Sequence, residues 1–268
     1  MASITIIGCG WFGFPLAQSL ITQGHQVKAN KRKQSDLIAL SQAGIAAYQL
    51  DLSAEIDLTS TSELLDSDML VVNIPPGLRR GETDYMANLN ALKSVIGDKQ
   101  YQRVIFISTS GVYPNEDNMM TEQDAASHNS VSDVLLQAES LFSCMSNACI
   151  VRFSGLVGPK RHPGRFLAGK DNVSGGNAAV NLVHLDDCVA AVSLILNSAT
   201  VGAVYNLCAP DHPTKHAFYT QAALHAGMSV PTFNQQIAPS KVIDGNLICQ
   251  QLGFTYQQPY LLKMLDAC

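Results

Sequence analysis

The chain has 268 residues, 47% hydrophobic and 15% charged, with a formal net charge of −5. That globular composition can bury a sizeable core, its acidic balance argues against a nucleic-acid surface, and no apolar run nears the roughly 20 residues of a membrane span. Seven cysteines, odd in number and without Cys-x-x-Cys spacing, point to reduced thiols in the cytoplasm and away from a disulfide framework or a metal site.

In chain order, the β-branched run at 3–8 predicts a buried strand; it has no basic residue before it and is too short for a secretory leader. A helix is expected at 14–23, with Leu16, Ala17, Leu20 and Ile21 on one face and Gly24 as its stop. A strand at 26–30, a helix at 35–43 and a strand at 47–50 follow. A fourth strand at 69–73 is closed by Pro75, Pro76 and Gly77. Then come a helix at 84–96, a strand at 103–108, a helix at 130–145 and a strand at 149–153. This alternation predicts an α/β fold, a Rossmann-type doubly wound parallel sheet. After residue 153, Gly155, Gly158, Pro159, Pro163, Gly164 and Gly169 loosen the rhythm, and Gly175 and Gly176 mark a turn. Further elements are expected at 181–183 (strand), 186–196 (helix), 204–207 (strand) and 217–225 (helix). We expect a dinucleotide-binding domain over 1–153. A smaller substrate lobe over 154–268, partly interleaved with the sheet, would complete the chain, because substrate sites gather on loops beside a rigid sheet.

The segment Gly8-Cys9-Gly10-Trp11-Phe12-Gly13 is G-x-G-x-x-G, directly after a predicted strand and opening a predicted helix. The first glycine permits the tight turn, the second lets backbone approach a pyrophosphate, and the third lets helix and strand pack closely. Trp11 and Phe12 belong to the same expected cofactor site. Phosphates would sit at the helix N-terminus, where the macrodipole favours negative charge. An NAD site usually carries a carboxylate about 20 residues on. Here the second strand ends at Asn30, followed by Lys31, Arg32 and Lys33, with no carboxylate before Asp36. A 2′-phosphate needs cations. The expected cofactor is therefore NADP, with Arg32 and Lys31 as contacts and NAD as the alternative.

Three further stretches carry a family resemblance: Ile107-Ser-Thr-Ser-Gly-Val-Tyr-Pro114, Val151-Arg-Phe-Ser-Gly-Leu-Val-Gly-Pro159 and Asn181-Leu-Val-His-Leu-Asp-Asp187. Together with Tyr205-Asn206-Leu207 and the glycine turn, they make the chain similar to extended short-chain dehydrogenase/reductase proteins of the NAD-dependent epimerase/dehydratase family. The resemblance covers nearly the whole chain. It implies that Gly8, Gly10 and Gly13 wrap the pyrophosphate, and that Asp51 and Leu52 lie where the family contacts adenine. It places Asn73, Ile74 and Pro75 beside the cofactor's middle ribose and Thr109 in the catalytic Ser/Thr position. Ser108 and Ser110 flank Thr109, Ser108 toward the cofactor and Ser110 toward the substrate. Tyr113 is a further acid candidate.

The chain departs from that family at its Tyr-x-x-x-Lys motif. No tyrosine has lysine four residues on, and counting back from Glu139 the two slots hold Val131 and Leu135, which cannot exchange protons. Arg161 and Arg165, with His162, form a basic cluster suited to an anionic substrate such as a nucleotide sugar. His184 reads as a structural strand-end residue, Asp186 as a helix cap, and Arg152 as an internal charge partner. Two functions remain open: an NADP-dependent oxidoreductase or epimerase with non-standard acid/base groups, or a catalytically inactive NADP-binding or redox-sensing module. The expected partner is a small molecule, with no nucleic acid or membrane. Apolar residues on more than one face of the helices at 84–96 and 130–145 suggest a homodimer.

Overall fold

The computed structural model describes residues 1–78, 81 and 83–268. Its strands are β1 (Ser3–Ile7), β2 (Gln26–Lys31), β3 (Ala46–Gln49), β4 (Met69–Val72), β5 (Arg103–Thr109), β6 (Met119–Met120), β7 (Ala148–Phe153), β8 (Gly155–Val157), β9 (Leu182–His184), β10 (Val204–Leu207) and β11 (Val242–Ile243). Its helices are α1 (Gly13–Thr22), α2 (Leu37–Gln42), α3 (Leu58–Leu65), α4 (Tyr85–Ile96), α5 (Ser130–Ser143), α6 (Leu185–Asn197), α7 (Lys215–His225), α8 (Leu247–Leu252) and α9 (Leu261–Met264).

Seven strands form one sheet in the order β10-β7-β5-β4-β1-β2-β3. β1 pairs in parallel with β2, Ile4 opposite Val27, and with β4, Ile4 opposite Met69. β2 with β3 and β4 with β5 are parallel as well. A parallel sheet is covered on both faces, which explains why β1 is apolar on both sides and why Ile4, Ile6 and Ile7 are all buried. From β1 the chain goes to β2 and β3 on one side, then returns to place β4 on the other. The order therefore reverses at β1, and in open α/β sheets ligands bind beyond the strand carboxyl ends at such a switch point.

The chain divides into two compact units, each made of three segments. The first comprises Met1–Ser108, Asn129–Val151 and Val192–Val204. In its core, the two-residue period turns Leu70 and Val72 of β4 and Val104 and Phe106 of β5 into one cluster with Leu64, Leu89, Leu92 and Phe142. The rings of Phe106 and Phe142 stack at 4.7 Å. Leu89, Leu92 and Phe142 thus owe their apolar character to this core, and Val95 and Leu141 pack against it. The second unit comprises Thr109–His128, Arg152–Ala191 and Tyr205–Cys268. Its core gathers Val157, Val180, Leu182, Phe218, Ala222 and Leu261. Two short parallel pairs, β6 with β11 and β8 with β9, stitch its distant segments together.

Most expected elements fall within two residues of their observed ends. α3 was not expected: its Leu-Thr-Ser-Thr-Ser-Glu-Leu-Leu sequence looks like polar loop. It is a helix because the Asp57 carboxylate accepts from the N–H groups of Thr59 and Ser60, and because Thr61, Leu64 and Leu65 are buried. All seven cysteines are unpaired thiols. Among the described residues, no helix is long and apolar enough to cross a membrane.

Candidate functional site

The glycine turn lies at the switch point. Gly8 follows β1 with φ of +92°, a conformation that L side chains rarely adopt. A Cβ on Gly8 would stand 2.0 Å from the carbonyl oxygen of Asn73, the residue that follows β4. The two strand ends are stitched there: Asn73 Nδ2 donates to the Gly8 carbonyl at 2.9 Å, and Asn73 N–H to the Ile7 carbonyl at 2.8 Å. A Cβ on Gly13, the first residue of α1, would stand 2.7 Å from the Gly8 carbonyl oxygen. Gly8 and Gly13 are therefore required by the fold itself. Gly10 is different. It is exposed, and a Cβ there would meet no atom within 4 Å. Packing does not demand glycine at this position, so the open space above it is what the residue preserves.

α1 begins beside that space with no capping side chain and no acidic residue in its first turn. The positive end of its dipole therefore meets no carboxylate from the helix's own first turn. This is a cradle that a pyrophosphate fits. Trp11 is half-buried and Phe12 is buried, so Phe12 anchors the turn to the core. Burial pushes the Cys9 thiol up to about 11, against the opposing charge of Lys31, so at neutral pH it is an uncharged packing group.

Asn30 sits at the end of β2, where an NAD-type site would hold a carboxylate. It is buried, and its amide bridges two backbone groups. Oδ1 accepts from the Gly8 N–H at 2.8 Å, and Nδ2 donates to the Leu50 carbonyl at 3.1 Å. A neutral amide satisfies both and an ionised carboxylate cannot, so this side chain shapes the turn. The polar groups left at the rim are half-buried Lys31 and exposed Arg32 and Lys33. Asp51 also lies there. Hydrogen bonds from Ser53 hold its carboxyl below the usual value, with a smaller effect from the Arg32 charge. Leu52 and Ile74 pack against the core of the first unit, while Pro75 is exposed.

At the carboxyl end of β5, buried Ser108 donates its hydroxyl to Oε1 of buried Glu139 at 2.6 Å. Glu139 lies one turn beyond Leu135 on α5. Leu135 is buried, whereas Val131 is 39% exposed. No side chain in the slots of the missing motif can exchange a proton. Glu139 signals itself in sequence only by its spacing from those slots.

In the second unit, Thr109 caps a short turn at 110–112 by accepting from the Gly111 N–H at 3.3 Å. Ser110 is half-buried beside it. Tyr113 is fully buried. Its hydroxyl donates to Asn206 Oδ1 at 2.6 Å and accepts from Arg152 Nη1 at 2.7 Å. Burial pushes the phenol up to about 12 despite the Arg152 charge. Such a tyrosine is a fixed strut. Glu122 completes the network: its carbonyl accepts from Arg152 and its carboxylate from the Asn206 N–H. Lys241, which no local pattern reveals, donates to the carbonyls of Tyr113 at 2.7 Å and Ser110 at 3.4 Å. It lies 128 residues from Tyr113, so only the fold brings it to this turn.

Arg161 and Arg165 are exposed on either side of His162. Partial desolvation lowers the Arg161 pKa from its usual value. His184 is buried, with Nε2 at 3.0 Å from the Ala267 carbonyl and Nδ1 accepting from the Asp186 N–H, a structural strand-end residue. Among the described residues, no three His, Cys, Asp or Glu side chains are grouped to hold a metal ion.

The family described as "NADP oxidoreductase coenzyme F420-dependent" matches residues 3–109, the stretch that holds the glycine turn. Protein YeeZ of Escherichia coli (strain K12) is 38% identical over 98% of this chain and 99% of its own length. UDP-glucuronic acid 4-epimerase from Bacillus cereus, solved with UDP-glucuronic acid and NAD, superimposes with a TM-score of 0.79 at 17% identity, covering 99% of this chain and 97% of that one. dTDP-glucose 4,6-dehydratase from Bacillus anthracis, solved with NAD, gives 0.77 at 13% identity, covering 99% and 96%. The fold is that of the epimerase/dehydratase proteins.

Proposed function

This chain belongs to the family of Protein YeeZ, and on that premise we propose that it is an NADP-dependent oxidoreductase or epimerase with non-standard acid/base groups. The observation that carries the reading is Gly10. A Cβ there would meet nothing within 4 Å, yet the residue is glycine, which leaves room beside the N-terminus of α1 for a diphosphate. Gly8, Gly13 and Asn73 hold that space in shape. Lys31 and Arg32, at the end of β2 and just beyond it, are the cations this reading gives to a 2′-phosphate, and Asn30, committed to the turn, puts no carboxylate at the end of β2. When bound, the nicotinamide supplies hydride chemistry. The residues of this chain bind and orient it.

For the substrate we propose a nucleotide sugar or small carbonyl compound, with Thr109 and Ser110 as hydroxyl contacts and Arg161 and Arg165 as anion contacts. The B. cereus epimerase carries UDP-glucuronic acid on the same fold. Tyr113 is assigned a supporting role, because its hydroxyl is committed to Asn206 and Arg152. Absorbance at the reduced-nicotinamide band, followed across a panel of UDP-sugars and carbonyl compounds, tests the reading. Hydride transfer that falls at least about tenfold in Thr109→Ala supports it. NADP binding without turnover on any substrate favours the second reading, an inactive cofactor-binding module, which Val131 and Leu135 in the motif slots support.

A further inference from the structure

The loop that carries Arg161 and Arg165 is fastened to α7 in two ways. Gly164 approaches so closely that a Cβ there would stand 2.4 Å from the Ala222 carbonyl oxygen. Beside it runs a chain of hydrogen bonds through two stacked imidazoles, whose ring centroids are 5.2 Å apart. The Gly164 N–H donates to His162 Nδ1 at 3.0 Å. His162 Nε2 lies 3.1 Å from His225 Nδ1, and His225 Nε2 lies 3.0 Å from Asp266 Oδ1.

This geometry fixes every proton. Because Gly164 donates to Nδ1 of His162, the proton of a neutral His162 is on Nε2 and is donated to His225 Nδ1. The proton of His225 is then on Nε2 and is donated to Asp266. All four ring nitrogens are satisfied only when both rings are neutral. One more proton on His162 Nδ1 would oppose the Gly164 N–H, and one on His225 Nδ1 would oppose His162 Nε2–H. Either way one link of the chain breaks.

We propose that the His162–His225 pair is a proton-operated latch. When both rings are neutral it holds the Arg161/Arg165 loop against α7, and protonation of the pair releases it. Its bearing on substrate rests on the proposed role of Arg161 and Arg165, but the latch itself does not depend on that role.

The charged groups around the pair come from two elements. The turn at 163–166 brings Arg165 and the C-terminal turn brings Asp266. Burial, then His225, then Arg165 hold the His162 pKa below its ordinary value. A histidine lowered in this way is neutral at pH 7. The stability it contributes is complete above about pH 6.5, the ordinary histidine value, and is lost as pH falls below that toward the lowered one.

Ring and amide NMR of the full chain between pH 7.5 and 5 tests the latch directly. At pH 7.5 His162 should be neutral with its proton on Nε2. The Gly164 amide should exchange at least about tenfold faster, corrected for intrinsic rate, once His162 has titrated. In His225→Gln the exchange of Gly164 should no longer follow the titration of His162 in the same way. A Gly164 amide equally protected on both sides of the His162 titration, or a proton found on His162 Nδ1 at pH 7.5, overturns the proposal. Loss of NADP binding or turnover leaves these readouts untouched, so failure of the latch and failure of the proposed function are distinguishable.

Discussion

Alanine at Gly8 and alanine at Gly10 should fail in opposite ways. At Gly8 the new Cβ would lie 2.0 Å from the Asn73 carbonyl oxygen and 2.8 Å from its carbon, on a backbone with φ of +92°. The dihedral alone costs roughly 1–2 kcal/mol. Moving the Asn73 peptide costs about 1–3 kcal/mol more, as overpacking of a tight site does. The sum, about 2–5 kcal/mol, should lower Tm by roughly 5–15 °C at this chain length. At Gly10 the Cβ meets nothing within 4 Å, so Tm should move by less than about 2 °C. That Cβ would occupy the space assigned to the pyrophosphate, and NADP affinity should fall at least about tenfold. Thermal unfolding by circular dichroism and calorimetric titration with NADP read the two effects separately. A Gly10→Ala protein that binds NADP as the wild type does, or a Gly8→Ala protein of unchanged Tm, would refute the reasoning.

Arg32→Ser should weaken NADP by about 10–100-fold, the worth of a charge-assisted contact, and leave NAD affinity nearly unchanged; equal loss for both cofactors places the 2′-phosphate elsewhere. Asn30→Asp keeps the acceptor for Gly8 N–H but sets a carboxylate against the Leu50 carbonyl, costing about 1–3 kcal/mol at pH 8. The folded-state pKa of that new carboxyl is raised, so protonation restores the donor, and urea denaturation should show stability recovering as pH falls toward 5. Tyr113→Phe leaves Asn206 Oδ1 without its donor, so it should lower stability by about 1–3 kcal/mol while any turnover survives; abolished turnover at unchanged stability would instead make the tyrosine catalytic. With its pKa near 11, Cys9 is almost wholly protonated at pH 8. Iodoacetamide should therefore modify it at least about a hundredfold more slowly than exposed Cys144, as peptide mapping can measure.

The Rossmann sheet was legible because its signals are local: apolar runs in β1, β4 and β5, and glycines at a strand-to-helix joint. α3 was not, since its turns carry Thr and Ser and its helical state depends on Asp57 and on burial of a narrow stripe. The two-residue strands β6 and β11 pair across more than a hundred residues and have no local pattern to show. The same division runs through the candidate site. The roles of Gly8 and Gly13 follow from spacing. The bridging amide of Asn30, however, belongs to a contact with Leu50, just after the next strand. Tyr113 stood in the sequence as an acid candidate or a residue that shapes the site, and only its bonds to Arg152 and Asn206, remote in sequence, favour the second role. Lys241 reaches its turn from a remote segment and carries no motif.

Calorimetric titration of the wild-type chain with NADP and with NAD, at one pH and salt concentration, bears most directly on the cradle at the end of β1. The expected result is saturable binding of one NADP per chain, at least about tenfold tighter than NAD, as a bound 2′-phosphate requires. Absence of heat and of any thermal shift with millimolar amounts of either nucleotide would contradict it.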